Sequence, residues 1–156
     1  MKAIIIFCSK TGCTEKVAAA IQRGLDNRAD MLKLDLTPTG IMQSYSPSFT
    51  LDLATYDLIV MGAWTMVMRV HPFLTAYIKS CSNIEGKQVA GFMTGGAIFS
   101  RGHATDDFRE LIESRGATLS GFRFITTALG PLLTKKKLGQ AEQFARDLAA
   151  NVRTHD

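Results

Sequence analysis

The chain has 156 residues, 46% of them hydrophobic, 21% charged and 8% aromatic, with 13 Gly and 4 Pro, a composition that excludes a disordered or collagen-like polypeptide and a length that predicts one domain, residues 1–156, with one core. The formal charge of +4, from 18 Lys and Arg against 14 Asp and Glu, lacks the dense basic stripe or reader motif that nucleic acid requires. The first apolar run is broken at Cys8-Ser9-Lys10 before a signal-peptide core is complete, and no stretch nears the roughly 18 apolar residues of a membrane span, so a cytoplasmic protein without membrane insertion is expected.

Residues 2–7 form a continuous isoleucine-rich run that ends in a polar, Gly-containing turn, the pattern of a strand buried on both faces. Val17, Ala18, Ile21 and Leu25 then recur at helical spacing, and Asp26-Asn27 marks a stop. Residues 31–36 alternate apolar and polar as a second strand, whereas residues 37–50 carry Pro38, Gly40 and Pro47 and read as loop. A third strand is predicted over 56–62, and a helix over 72–81 with Phe73, Leu74, Tyr77 and Ile78 on one face. The fourth strand covers 88–93. A helix follows over 105–114, with Thr105 as N-cap and Asp106 and Asp107 in its first turn, ended by Gly116. The fifth strand covers 118–126, and a last helix runs over 139–152.

Strand and helix alternate throughout, apart from the connection at 37–55. Parallel neighbours need crossover connections, so the alternation implies a parallel sheet with helices on both faces. The three cysteines, Cys8, Cys13 and Cys81, form no CxxC and no Cys/His cluster. Reduced thiols are therefore expected, with neither disulfide nor metal.

In an open parallel sheet a ligand sits beyond the carboxyl ends of the strands. The loops at 8–14, 63–71 and 94–103 should therefore converge. The first of them, Ser9-Lys10-Thr11-Gly12-Cys13-Thr14, offers three hydroxyls, a glycine and the backbone N–H groups of a helix start, a set suited to a phosphate monoester. It matches neither the Walker loop nor the GxGxxG fingerprint. The alternative is that these residues only make a turn and a cap.

The pattern [Ser/Thr]-x-[Ser/Thr]-Gly-x-[Ser/Thr] after a first strand resembles the FMN phosphate loop of the flavodoxin family. Tyr56 to Met66, YDLIVMGAWTM, is similar to that family's third strand and first flavin loop, and Gly86 to Gly96, GKQVAGFMTGG, to its fourth strand and second flavin loop. The resemblance covers nearly the whole chain and implies a flavodoxin-like α/β three-layer sandwich, with a five-stranded parallel sheet of order 2-1-3-4-5 (flavodoxin is itself the reference example of that order).

By this resemblance Ser9, Thr11, Gly12 and Thr14 hold the FMN phosphate with the Lys10 and Cys13 amides. Ala63, Trp64, Thr65 and Met66 border the ribityl chain and one ring face, and Thr94, Gly95, Gly96 and Ala97 pass along the ring edge. Phe99 replaces the tyrosine that many relatives place on the outer face. Two further departures are the net basic charge and the apolar Met66-Val67-Met68 segment. Cys13 lies at a helix start, where thiols acidify, or is simply a small residue. His71, His103, Arg69 and Arg101 fall in the site-side loops, as chemical groups or as ordinary loop residues, and Lys135 to Lys137 read as a solvated face. The implied function is electron transfer between redox partners, with an acidic ferredoxin-like donor suited to the basic charge and a monomer or weak dimer expected. No catalytic residue and no metal are assigned. The alternatives are an FMN-dependent reductase or dehydrogenase acting on a quinone or other planar substrate, similar to protoporphyrinogen dehydrogenases, and a flavin-free binding module.

Overall fold

The computed structural model describes residues 1–35, 51–66, 69–96, 100–127 and 133–153. Strand β1 (Ala3–Phe7) is buried along its whole length, as its uninterrupted apolar run requires. Helix α1 (Cys13–Gly24) buries Val17, Ala18 and Ile21 and stops where Asp26 and Asn27 both turn left-handed at φ 56°. The other elements are β2 (Asp30–Lys33), β3 (Leu58–Met66), β4 (Arg69–Val70), α2 (Pro72–Ser80), β5 (Gln88–Gly95), α3 (Ser100–Glu113), β6 (Thr118–Thr126) and α4 (Lys135–Arg153).

The sheet order is β2-β1-β3-β5-β6, with every neighbour on that path parallel. This is the expected 2-1-3-4-5 order, to which the two-residue β4 adds a sixth strand, antiparallel to the end of β3. The apolar residues divide between two cores, not one. Ile4, Ile6, Ile59, Met61, Val89 and Met93 face Phe73, Leu74, Tyr77, Phe108 and Ile112 of α2 and α3. Ile5, Phe7, Val60, Ala90 and Phe92 face Val17, Ile21, Ala141, Ala145 and Leu148 of α1 and α4. A sheet covered on both faces must bury alternate residues in opposite directions.

β2 ends at Lys33, short of the Leu34 and Asp35 that the alternating pattern included, β5 runs on to Gly95, two residues past its expected end, and three further boundaries differ from the sequence reading. β3 runs on through Gly62 to Met66, because β4 and β5 continue to pair it beyond the point where the apolar run ends. Helix α3 starts at Ser100, so Thr105 lies inside it and is no N-cap, and Asp106 and Asp107 stand beyond the first turn. Helix α4 starts at Lys135, where the Lys137 and Leu138 N–H groups bond the Thr134 carbonyl at 3.0 and 3.1 Å. The lysine triplet therefore lies in the first turn of α4, not before it as a flanking run. Leu36 and the predicted loop 37–50 lie outside the described residues. Among the described residues, no helix is long and apolar enough to cross a membrane.

Glycines 24 and 139 make the packing testable. A Cβ on Gly24 would stand 2.3 Å from the Glu142 carbonyl oxygen and 2.7 Å from the Ala145 methyl, whereas one on Gly139 in α4 meets nothing within 4 Å. Gly24→Ala should therefore force α1 and α4 apart and destabilise by about 1–3 kcal/mol. Gly139→Ala should stabilise by about 0.5–1 kcal/mol through helix propensity. Opposite displacements of the denaturant midpoint would establish the close contact at Gly24 and the open space at Gly139.

Candidate functional site

The carboxyl ends of β1, β3, β5 and β6 open onto a cleft of about 410 Å³. Lys10, Thr11, Cys13 and Thr14 line it from the β1–α1 turn, Trp64 and Thr65 from β3, Thr94 and Gly95 from β5, and Gly96 and Thr127 from the residues that follow β5 and β6. The three expected loops thus supply most of the wall. Thr127 was not foreseen, although the carboxyl-end rule points to the residue after the fifth strand too. A larger depression of about 690 Å³ lies between the 81–87 and 114–116 turns, at the amino ends of β5 and β6, where parallel sheets do not place their ligands.

The turn is shaped for an anion. Gly12 is the N-cap of α1 with φ 84°, and no side chain caps the helix. That left-handed conformation is strained for any residue with a Cβ. The first amides of α1 have no carbonyl one turn back, so they and the positive helix end are available to a negative group. The Gly12 N–H donates to Ser9 Oγ at 3.1 Å, which folds Ser9 into the turn. Thr11 is exposed and Ser9 is buried. Thr14 and Thr94 are each 2% exposed, and their hydroxyl oxygens lie 2.9 Å apart. This bond ties the start of α1 to the end of β5 across the cleft floor.

On the β3 side, Ala63 is fully buried, Trp64 and Thr65 are half-buried, and Met66 is 45% exposed. These four belong to a strand and a hairpin, where the sequence reading expected a loop. A Cβ on Gly95 would stand 2.4 Å from Thr65 Oγ1, so Gly95 is what lets β5 pass this close to Thr65. His71 is 2% exposed and caps α2, its Nδ1 accepting the Phe73 N–H at 3.1 Å. Its ring centroid is 4.1 Å from that of Trp64. Burial, and then the charge of Lys10, lower its pKa from the ordinary 6.5. The cue for the cap was His71-Pro72, since proline favours the first helical position.

Val67, Met68, Ala97, Ile98 and Phe99 lie outside the described residues. Arg101 belongs to the first turn of α3, and His103, in the same helix, is exposed. Arg69 is bound to Asp107 at 3.4 Å and is no free loop charge. Cys8, Cys13 and Cys81 are free and buried. Burial pushes the Cys8 thiol up to about 12 and that of Cys81 up to about 11, leaving both neutral.

The family model for the flavodoxin domain matches residues 4–123. Among solved structures, a flavodoxin from the domain Archaea superposes with a TM-score of 0.71 at 22% identity, covering 98% of this chain and 99% of that one. Oxidised flavodoxin 2 from Bacillus cereus gives 0.69 at 23% identity, covering 97% and 99%. Rubredoxin oxygen:oxidoreductase from Desulfovibrio gigas gives 0.70 at 15% identity, covering 98% of this chain but 36% of that enzyme. No curated protein sequence matches the chain.

Proposed function

The chain belongs to the flavodoxin family and is an FMN-binding redox flavoprotein, and from that premise we propose that it carries electrons between redox proteins, with the cleft at the carboxyl ends of β1, β3 and β5 as its FMN site. The observation that carries the reading is the uncapped start of α1, opening with its hydroxyls onto a cleft walled by Trp64. FMN supplies the redox chemistry when bound, and the protein supplies binding, orientation and local electrostatics.

The roles of the chain's own groups follow from their hydrogen bonds. Ser9 Oγ accepts from the Gly12 N–H, so its hydrogen is left for a phosphate oxygen. Either hydroxyl of the Thr14–Thr94 pair can donate, and with Thr94 as the donor the Thr14 hydrogen is left for the same anion. Thr11, the Gly12 turn and the amides of Lys10 and Cys13 complete the cradle. Trp64 lies along one face of the ring, while Thr65, Met66, Gly95 and Gly96 border its edge. Trp64 is the chain's one tryptophan. Its emission should fall strongly when FMN is added, and unchanged emission at saturation would place it away from the flavin.

An acidic electron donor is supported by the lysines at the site end of the sheet. Lys10 follows β1, Lys33 ends β2 and Asp35 follows it, Glu15 and Lys16 lie in the first turn of α1, and Lys135, Lys136 and Lys137 open α4. Lys33 holds Glu15 at 2.7 Å, and Lys137 Nζ donates to the Thr126 carbonyl beside the cleft. Six lysines against two carboxylates leave a surplus of four, equal to the formal net charge of +4 of the whole chain. The site end of α1 and α4 is the face we assign to an acidic electron donor, in place of the loop arginines.

A second reading, an FMN-dependent reductase of a quinone or similar planar substrate, is favoured by Met66, which stands 45% exposed next to Thr65 at the cleft wall. Absorbance during stepwise reduction of the purified protein tests FMN binding. Steady-state turnover with quinones then separates the enzyme from the carrier, which should show none.

A further inference from the structure

Trp64 and His71 flank the β3–β4 hairpin. Thr65 pairs with Val70 and Met66 with Arg69, and one further step of that register sets Trp64 opposite His71. The two rings meet at 4.1 Å with their planes tilted by 51°. The indole thus has the cleft on one side and a buried imidazole on another. His71 in turn is anchored by its own cap, since Nδ1 accepts the Phe73 N–H. An accepting Nδ1 carries a lone pair, so the ring is neutral with its hydrogen on Nε2. A proton added at Nδ1 would face the Phe73 hydrogen, and the cap would have to open.

Among the described residues, the charges that act on the ring or flank it on its hairpin disfavour that proton or are compensated. Lys10 acts on it from the β1–α1 turn. Arg69, on its own hairpin, is paired with Asp107 of α3. The first turn of α2 contains no acidic residue.

We propose that His71 is the positioning residue of Trp64: the neutral, capping imidazole fixes the indole at the cleft wall, and protonation releases cap, hairpin end and indole together. The sign follows from burial and Lys10, which lower the folded-state pKa from 6.5. The stabilisation contributed by neutral His71 is complete above that value, and it is lost as pH falls through the lower folded-state value.

Trp64, as the one tryptophan, gives one indole N–H resonance in the 15N-labelled full chain, with or without FMN. Over pH values from about 8 to 5, where histidine changes charge, this resonance should shift with a midpoint below 6.5. His71→Asn keeps a capping acceptor but has no titrating ring and should abolish the shift. His71→Ala should displace the resonance at every pH. If His71→Ala does not fold, His71→Asn alone decides. A wild-type resonance that does not move, or a transition that persists in His71→Asn, would overturn the proposal.

Discussion

Thr14→Val is expected to weaken FMN binding roughly 10- to 100-fold, the worth of one buried hydrogen bond to a charged group, and to leave riboflavin binding nearly unchanged. The reasoning separates binding from folding. Thr14 and Thr94 satisfy each other in the cleft floor, so removing one hydroxyl leaves the other buried without it, which costs about 1–3 kcal/mol of stability. Replacing both threonines with valine removes donor and acceptor together and should restore most of that stability. FMN affinity should stay low in the double variant, because the hydroxyl we propose for the phosphate is still missing. Thr94→Val alone should have a smaller effect on affinity, since Thr14 keeps its hydroxyl and loses only the neighbour that orients it. Titrations of FMN and riboflavin against the three variants, with denaturant midpoints alongside, supply the full comparison. Riboflavin binding as tightly as FMN to the wild type would remove the phosphate cradle from the account.

The alternation of strands and helices was legible because each of its causes is local, whereas the order of the strands came from the resemblance to flavodoxins. The isoleucines of β1, the helical spacing of Val17, Ala18 and Ile21, and the apolar runs of β3 and β5 each announce an element without reference to the rest. The hydroxyl-rich turn was legible for the same reason, since its chemistry lies in six consecutive residues. What was hidden depends on partners distant in sequence. Ala63 to Met66 follow Gly62, where the predicted strand stops, yet they extend β3 because Met93 and Thr94 pair its Ala63 and Trp64, and Arg69 and Val70 pair its Met66 and Thr65. The Thr14–Thr94 bond spans 80 residues, and no pattern within either segment signals it. His71 looked like a site-side loop histidine, but its Nδ1 is engaged by the backbone of α2 and its ring by Trp64. Arg69 looked like a free charge, and only the packing of α3 shows Asp107 beside it.

Reduction by an acidic redox protein is expected to slow steeply as salt is raised, and the lysines at the site end of α1 and α4 should account for the slope. Steered association reaches about 10⁸–10⁹ M⁻¹s⁻¹ at low salt, against about 10⁵–10⁶ without steering, and the field is screened over about 10 Å at 0.1 M salt. Lys135 and Lys136 occupy the first turn of α4, which contains no acidic residue, so the positive helix end adds to their charge. Among the described residues neither makes an ion pair with a carboxylate. Their placement works against the helix, at about 0.3–1 kcal/mol per charge, which separates docking from folding. Lys135→Glu with Lys136→Glu should raise the stability of α4 and, in the same protein, lower the low-salt association rate and flatten its salt dependence. Arg28→Glu changes the charge by as much per residue at the opposite end of α1 and should slow association far less. A neutral quinone as the efficient partner would give rates nearly indifferent to salt. A rate that rises with salt for an acidic donor, or an Arg28 variant as slow as the lysine pair, would exclude this face as the one that meets the partner.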